Sequence, residues 1–411
     1  MATNQVSREI AKTAREGADS VFAYIERTAE ATPDGVRWQT LSYQDTPQYS
    51  STGFDGVAGI SLFLAAYYRL TGNAGARDLA AGGLEWCTSP ERASEPWWQY
   101  VDNESLGGGR AGVGLAWLRF AAATGDQAHL GRAVAIGQQV AGVEPGAPTA
   151  WGPPATDYLY GAAGTGIFLV RLWESSRDER FLAAALRYGT WLASHVVRDD
   201  RGSYWGVRVD ASPAQGRLGF CHGTPGIGYF LLLLAQASPE GRWAALVREV
   251  AATLTRHAIP DRGGLNWPDR LDEREVTRCQ WCIGAPGVGV FWTKAHEVLG
   301  DPSFLEMGVA AGHTTFAYGD VRHNGGQCHG LAGSAELFIE LFRRTRDPLW
   351  LDRAHDFAIR ALAYRVDTPH GDAWQTDEPG CTSPDFAYGA AGAGHFFLRL
   401  LAPDQVRLAL G

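Results

Sequence analysis

The sequence predicts an all-α fold: an α/α toroid, or barrel, of seven inner and seven outer helices joined by short strand-like connections. Three observations carry that prediction. Glycine is 51 of 411 residues, about 12% against roughly 7% in average usage, without a G-X-Y period or long Ser or Gln tracts. Gly-x-x-Gly recurs seven times, with first glycines at 56, 109, 161, 223, 284, 330 and 389. Each copy opens an apolar, helix-patterned run, followed after a short turn by a second, more amphipathic one.

The elements follow in chain order. Residues 1–27 are polar and helix-patterned with no apolar h-region, so they are not a secretory signal. The runs ISLFLAAYYRLTG, IFLVRLWESSRD and VFWTKAHEVLGD carry few charges before their last turn, as helices with apolar surroundings on most sides do. Turns such as TGN, TGD, SRD and LGD lead to AGARDLAAGGLEWC, QAHLGRAVAIGQQVAG or ERFLAAALRYGTWLASHV, half-exposed by pattern. A strand- or turn-like segment with tryptophan (RWQTLSY, GSYWGVRVD, GGLNWPD, GDAWQTD) then precedes the next glycine loop. First-glycine spacings of 53, 52, 62, 61, 46 and 59 residues are regular, and five of the six exceed a two-helix solenoid unit of ~34 to 47 residues. Two helices per repeat give about fourteen, and residues 1–411 read as a single domain. Inner helices that lean together at their N-terminal ends need small residues at i and i+3, and five copies add a third glycine (Gly114, Gly166, Gly228, Gly289, Gly394). Glycine at a helix entrance is also expected to expose backbone N–H groups along one rim.

Composition excludes several functions. A net charge of −9 without a basic run argues against nucleic acid phosphates and anionic membranes as partners. No stretch approaches the 18 or so apolar residues of a membrane span, and the chain reads as cytoplasmic. In that compartment six cysteines are expected as thiols, metal ligands or buried small residues rather than disulfides.

Four of those cysteines fall in three glycine loops: Cys221-His222-Gly223, Arg278-Cys279-Gln280-Trp281-Cys282-Ile283-Gly284 and Gln327-Cys328-His329-Gly330. Pseudo-symmetry makes these loops neighbours, and a Cys/His cluster suggests zinc. Cys282 and Cys328 stand two residues before their first glycines and His329 one before, although spacing alone leaves Cys221 and His222 open as ligands. Cys87, Cys279 and Cys381 read as inert small hydrophobes, and His395 sits ambiguously inside the seventh inner helix.

The seven repeats, the Trp-Cys-x-Gly loop and the later Cys-His-Gly loop resemble the lanthionine synthetase C-like family, the cyclases of lanthipeptide biosynthesis and their eukaryotic relatives. The resemblance runs over about residues 10 to 405. It implies one Zn2+ held by Cys282, Cys328 and His329, a catalytic histidine at His222, a catalytic aspartate at Asp157 and an active-site arginine at Arg278. The family's Trp-Cys-Tyr-Gly is here Trp281-Cys282-Ile283-Gly284, so a tyrosine role there is missing or supplied from elsewhere.

Three protein ligands leave a fourth position open, as in catalytic zinc sites, and zinc deprotonates a thiol that enters it. The implied reaction is addition of a cysteine thiolate to dehydroalanine or dehydrobutyrine, which forms a thioether and an enolate. His222 is suited to protonate that enolate, with Asp157 orienting it or handling the thiol proton and Arg278 stabilising negative charge. The implied partners are a dehydrated precursor peptide with its leader, a separate dehydratase and an exporter. Addition of glutathione or another small thiol is an alternative, and a non-catalytic peptide-binding scaffold is another. An α/α-barrel glycosidase would need paired carboxylates, and the glycine loops offer mainly Asp55 and Asp157.

Overall fold

In a computed structural model of the chain, the structure describes residues 2–42, 44–90, 92, 103–147, 154–210, 216–319 and 324–411. These residues form fourteen helices: α1 (Ala2–Arg27), α2 (Val57–Thr71), α3 (Ala74–Thr88), α4 (Arg110–Thr124), α5 (Gln127–Ala141), α6 (Ala162–Ser176), α7 (Glu179–Ser194), α8 (Thr224–Ala237), α9 (Gly241–Arg256), α10 (Ala285–Leu299), α11 (Pro302–Tyr318), α12 (Leu331–Thr345), α13 (Pro348–Ala363) and α14 (Ala390–Leu401). Among the described residues the strands pair only two by two and antiparallel: β1 (Glu30–Thr32) with β2 (Gly35–Arg37), β3 (Thr40–Leu41) with β4 (Pro47–Gln48), β5 (Val197–Asp199) with β6 (Gly202–Tyr204), β7 (Ile259–Asp261) with β8 (Gly264–Asn266) and β9 (Arg365–Thr368) with β10 (Gly371–Trp374). No helix among the described residues is long and apolar enough to cross a membrane.

Every Gly-x-x-Gly copy stands at the entrance of an even-numbered helix. These helices are the buried ones: all residues of Ala162–Val170 in α6 and Thr224–Leu234 in α8 are buried. The odd-numbered helices bury one stripe, as Phe181, Ala184, Ala185, Tyr188, Gly189 and Leu192 do in α7.

The residues fall into two compact units, the first Met1–Asp102, Ala116–Arg132 and Gly319–Gly411, the second Asn103–Leu115 and Ala133–Tyr318. In the first unit α2 packs on α3, α12 on α13, and α14 on α1 and α2. The N-terminal helix thus partners the inner helix of the last glycine copy. In the second unit α6, α8 and α10 pack on α7, α9 and α11, and α8 lies against both α6 and α10.

The glycine loops share one construction. The first N–H of the following helix bonds the carbonyl seven residues upstream at 57→50, 110→103, 162→155, 224→217, 331→324 and 390→383. The glycine-rich entrances predict exposed N–H groups. Instead, each of these six loops folds back and caps its own helix, because a buried N–H without an acceptor is costly. The fifth loop departs from the rule: Ala285 N–H bonds the Asn266 side chain (2.7 Å), and Gly284 takes φ +115°, a conformation that favours glycine.

The second glycine of a copy marks where the preceding loop crosses. A Cβ on Gly164 would stand 2.7 Å from Leu106 Cβ, one on Gly226 2.8 Å from Tyr158 Cβ, and one on Gly287 2.6 Å from Phe220 Cβ. Third glycines receive a phenylalanine ring from the next inner helix: Phe168 at Gly114, Phe230 at Gly166 and Phe291 at Gly228 in the second unit, and Phe63 at Gly394 in the first.

Four tryptophans make the hairpins part of the frame. Trp38, Trp205, Trp267 and Trp374, all at most 1% exposed, donate their indole N–H to the carbonyls of Ile25, Leu192, Leu254 and Ala361, each thirteen residues upstream. Each bond ties a carbonyl in the last turn of α1, α7, α9 or α13 to the hairpin that follows, and the Leu192 and Ala361 carbonyls also accept the N–H of His195 (3.0 Å) and Tyr364 (3.2 Å).

Candidate metal centre and acid–base pair

The residue two before each first glycine links neighbouring loops through the backbone. In the second unit Gly107 N–H bonds Leu159 O (2.7 Å), Leu159 N–H bonds Cys221 O (3.3 Å), and Cys221 N–H bonds Cys282 O (3.3 Å). In the first unit Cys328 N–H bonds Ala387 O and Ala387 N–H bonds Phe54 O, both at 2.8 Å. Cys221, Cys282 and Cys328 therefore stand at equivalent loop positions, each with a backbone bond to a neighbouring loop. Beneath the second-unit loops Tyr158, Phe220 and Trp281 pack ring to ring, with centroids 4.9, 5.4 and 6.0 Å apart.

His222 follows Cys221 and donates from Nδ1 to Asp157 Oδ2 at 2.9 Å. Asp157 is 1% exposed, and its other oxygen accepts the Tyr160 N–H (2.7 Å), which fixes the carboxylate in its loop. The His222 side chain is 31% exposed and stacks on Tyr160, with centroids 5.6 Å apart and planes 19° apart. Tyr160 is itself 46% exposed. The pair thus joins a buried, immobile carboxylate to a ring that solvent or substrate can reach. Arg278 opens the fifth loop with an exposed side chain, and its carbonyl accepts from Asn266 Nδ2 (3.3 Å). Ile283, where the family resemblance has a tyrosine, is 7% exposed beside Gly219, and the ring stacked on His222 is that of Tyr160.

His329 follows Cys328 in the sixth loop, and its Nδ1 is hydrogen-bonded to Asp377 Oδ2. Cys282, Cys328 and His329 are a group of residues able to hold a metal ion. Two buried thiols and an imidazole suit zinc, which is soft enough for thiolate and is satisfied by four ligands. Among the described residues this metal-capable group contains neither Cys221 nor His222.

The remaining candidates settle as packing residues. Burial pushes the Cys87 thiol up to about 12 and raises that of Cys279 as well, which keeps both protonated and unreactive. His395 is 3% exposed against Phe386, and desolvation lowers its pKa to about 3, which keeps it neutral in the core. Tyr160, Asn324 and Asp377 do not stand out in the sequence as site residues. A signal for Asp377 is nonetheless present: an acid closing the tryptophan segment GDAWQTD.

A buried core of paired helices, one glycine loop per pair and a Cys2His donor group on the glycine loops define a class of protein. The family model for lanthionine synthetase C-like proteins matches residues 47–410, and the chain belongs to that family. Among its relatives, the zebrafish (Danio rerio) Glutathione S-transferase LANCL1 is 29% identical over 194 residues, 46% of this chain and 44% of that protein. The LanC-like protein GCL1 of Arabidopsis thaliana is 28% identical over 213 residues, 49% of this chain and 46% of that protein. The matched segments thus span less than half the length of these curated relatives. Nisin cyclase has the same fold at 16% identity, with TM-score 0.67 over 88% of this chain and 92% of that one. A GH76 α-mannanase of Bacteroides thetaiotaomicron shares it more loosely, with TM-score 0.54 and 12% identity over 94% and 95% of the two chains. The likeness to nisin cyclase bears out the helical toroid expected from the repeats.

Proposed function

We propose that this protein is a lanthionine cyclase-type enzyme that adds the cysteine thiols of a dehydrated precursor peptide to dehydroalanine or dehydrobutyrine. The observation that carries the reading is the Cys282, Cys328 and His329 donor group in a member of this family, accompanied by a carboxylate-set histidine, His222. Cys282, Cys328 and His329 would hold one zinc ion, which when bound supplies the positive charge that lowers the pKa of an incoming thiol.

The chain's own residues have the rest of the work. The reaction forms one C–S bond at the β-carbon, moves the C=C electron pair into an enolate, and transfers the thiol proton in net terms to Cα. With Nδ1 committed to Asp157, His222 presents Nε2 as the atom that delivers the proton to Cα. Asp157 holds the ring and stabilises it while it carries that proton; its burial and the Tyr160 N–H keep it from turning away. Tyr160 stacks on one face of the ring and limits how it can turn. Arg278, exposed at the mouth of the fifth loop, would neutralise charge building on the enolate oxygen.

The name of the zebrafish relative favours a second reading, in which the attacking thiol is glutathione. A dehydrated peptide containing cysteine, and one lacking it, separate the two readings. Ring closure without glutathione, seen as loss of the alkylatable thiol at unchanged peptide mass, supports the cyclase. A mass gain of one glutathione on the cysteine-free peptide, without ring closure on the other, supports the transferase.

A further inference from the structure

We infer that Asp377 is a positioning residue for the metal centre, fixing which nitrogen of His329 faces the ion; this rests on the zinc reading above. Asp377 closes the segment after β10, and that segment is locked in place. Trp374 is fully buried and bonded to Ala361 O (2.9 Å), Thr376 N–H bonds Cys381 O (2.9 Å), and Thr376 Oγ1 donates to Asp45 Oδ1 (3.1 Å). From there the carboxylate reaches the sixth glycine loop with both oxygens. Oδ1 accepts from Asn324 Nδ2 (2.6 Å), and Oδ2 bonds His329 Nδ1. Asn324 is 1% exposed and is tied to the same loop, its Oδ1 accepting Gly326 N–H (2.9 Å) and its carbonyl accepting Leu331 N–H (3.1 Å) at the head of α12.

The consequence is chemical. A carboxylate is an acceptor, so Nδ1 of His329 carries the hydrogen and Nε2 is left with the lone pair that a metal requires. The Tyr388 ring, 5.7 Å from the imidazole, covers one face and opposes rotation. The molecule uses the device twice: His222 in the other Cys-His-Gly loop is set through Nδ1 by Asp157. That ring belongs to no metal-capable group among the described residues, so the same orientation serves proton delivery there and ligation at His329. Carboxylates behind ligating histidines are worth 10- to 100-fold in metal affinity.

The test is zinc competition against a chromophoric chelator at fixed pH, using the full chain as wild type, Asp377→Asn and Cys328→Ser, with melting of each metal-free protein measured alongside. Asp377→Asn should bind zinc about 10- to 100-fold more weakly while its metal-free melting is unchanged. Nitrogen-15 spectra of the metal-free wild type should show His329 protonated at Nδ1 and bare at Nε2. Affinity within twofold of wild type, with Cys328→Ser still abolishing binding, overturns the role of Asp377 and leaves the zinc reading standing. An Nε2-protonated His329 in the wild type overturns it as well, whether or not the variant folds. No zinc binding by the wild type overturns the reading beneath it.

Discussion

Replacing Asp157 by asparagine isolates what the carboxylate does for His222. Asparagine keeps the volume of a residue that is 1% exposed, and its carbonyl can still accept the Tyr160 N–H now held at 2.7 Å. Melting should therefore move little. What disappears is the acceptor 2.9 Å from His222 Nδ1. A hydrogen bond to a charged group contributes about 1.5–3 kcal/mol. Lost from the ring at the moment it carries the proton, that is a fall of about 10- to 150-fold in turnover. The assay follows the free thiol of a dehydrated cysteine-containing peptide by alkylation and mass spectrometry at saturating peptide, with zinc content and melting temperature measured in parallel. A folded, metal-loaded Asp157→Asn enzyme turning over within twofold of wild type would refute the role given to the pair.

Three further outcomes are expected. Arg399 on α14 is fully buried and paired with Glu336 and Glu340, whose side chains are 1% and 7% exposed; Arg399→Leu takes the cation from Glu336 while Glu340 keeps Arg343 at 3.0 Å, and should lower stability by about 3–5 kcal/mol in denaturant melts, a loss below ~1 kcal/mol being inconsistent with the network. Asp385 is fully buried, and desolvation raises its pKa from 3.8 to about 7, with Asp55 adding to the rise. The folded state then holds this proton more tightly than the unfolded one, so the contribution is complete below about pH 4 and lost as pH rises through about 7. Asp385→Asn should flatten the stability–pH curve across that window, and parallel curves for the two proteins would contradict the assignment. In Gly226→Ala the new Cβ would lie 2.1 Å from Phe220 O, a backbone atom; calorimetry should show a loss of about 1–3 kcal/mol, and an unchanged melt would mean that the crossing is looser than described.

The repeat architecture is legible in the sequence because one steric demand recurs. Wherever a loop crosses an inner helix a glycine is required, and Gly164, Gly226 and Gly287 meet that demand against Leu106, Tyr158 and Phe220. The cysteine and histidine candidates are legible because the repeat by itself puts Cys221, Cys282 and Cys328 in register. Pairings made across long stretches of chain are not. Nothing local in residues 1–27 says that this helix packs on α14, near the other end of the chain. The tryptophans stand out in composition, but their indole bonds to a carbonyl thirteen residues back depend on the hairpins that turn between them. Asp377 is hidden for the same reason: only the register of β9 with β10 and the anchoring of Trp374 bring an ordinary-looking acid to His329. Capping of the helix entrances by their own loops is equally hidden, because glycine-rich sequence shows freedom of conformation and not where the carbonyls turn.

The most direct test is the zinc content of freshly purified wild-type protein, measured together with its consumption of the free thiol in a dehydrated cysteine-containing peptide. The expected result is about one zinc per chain, abolished in Cys282→Ser and in Cys328→Ser, with the thiol consumed only by the zinc-bearing protein. A metal-free wild type, or thiol consumption undiminished in both serine variants, would contradict a cyclase built on Cys282, Cys328 and His329.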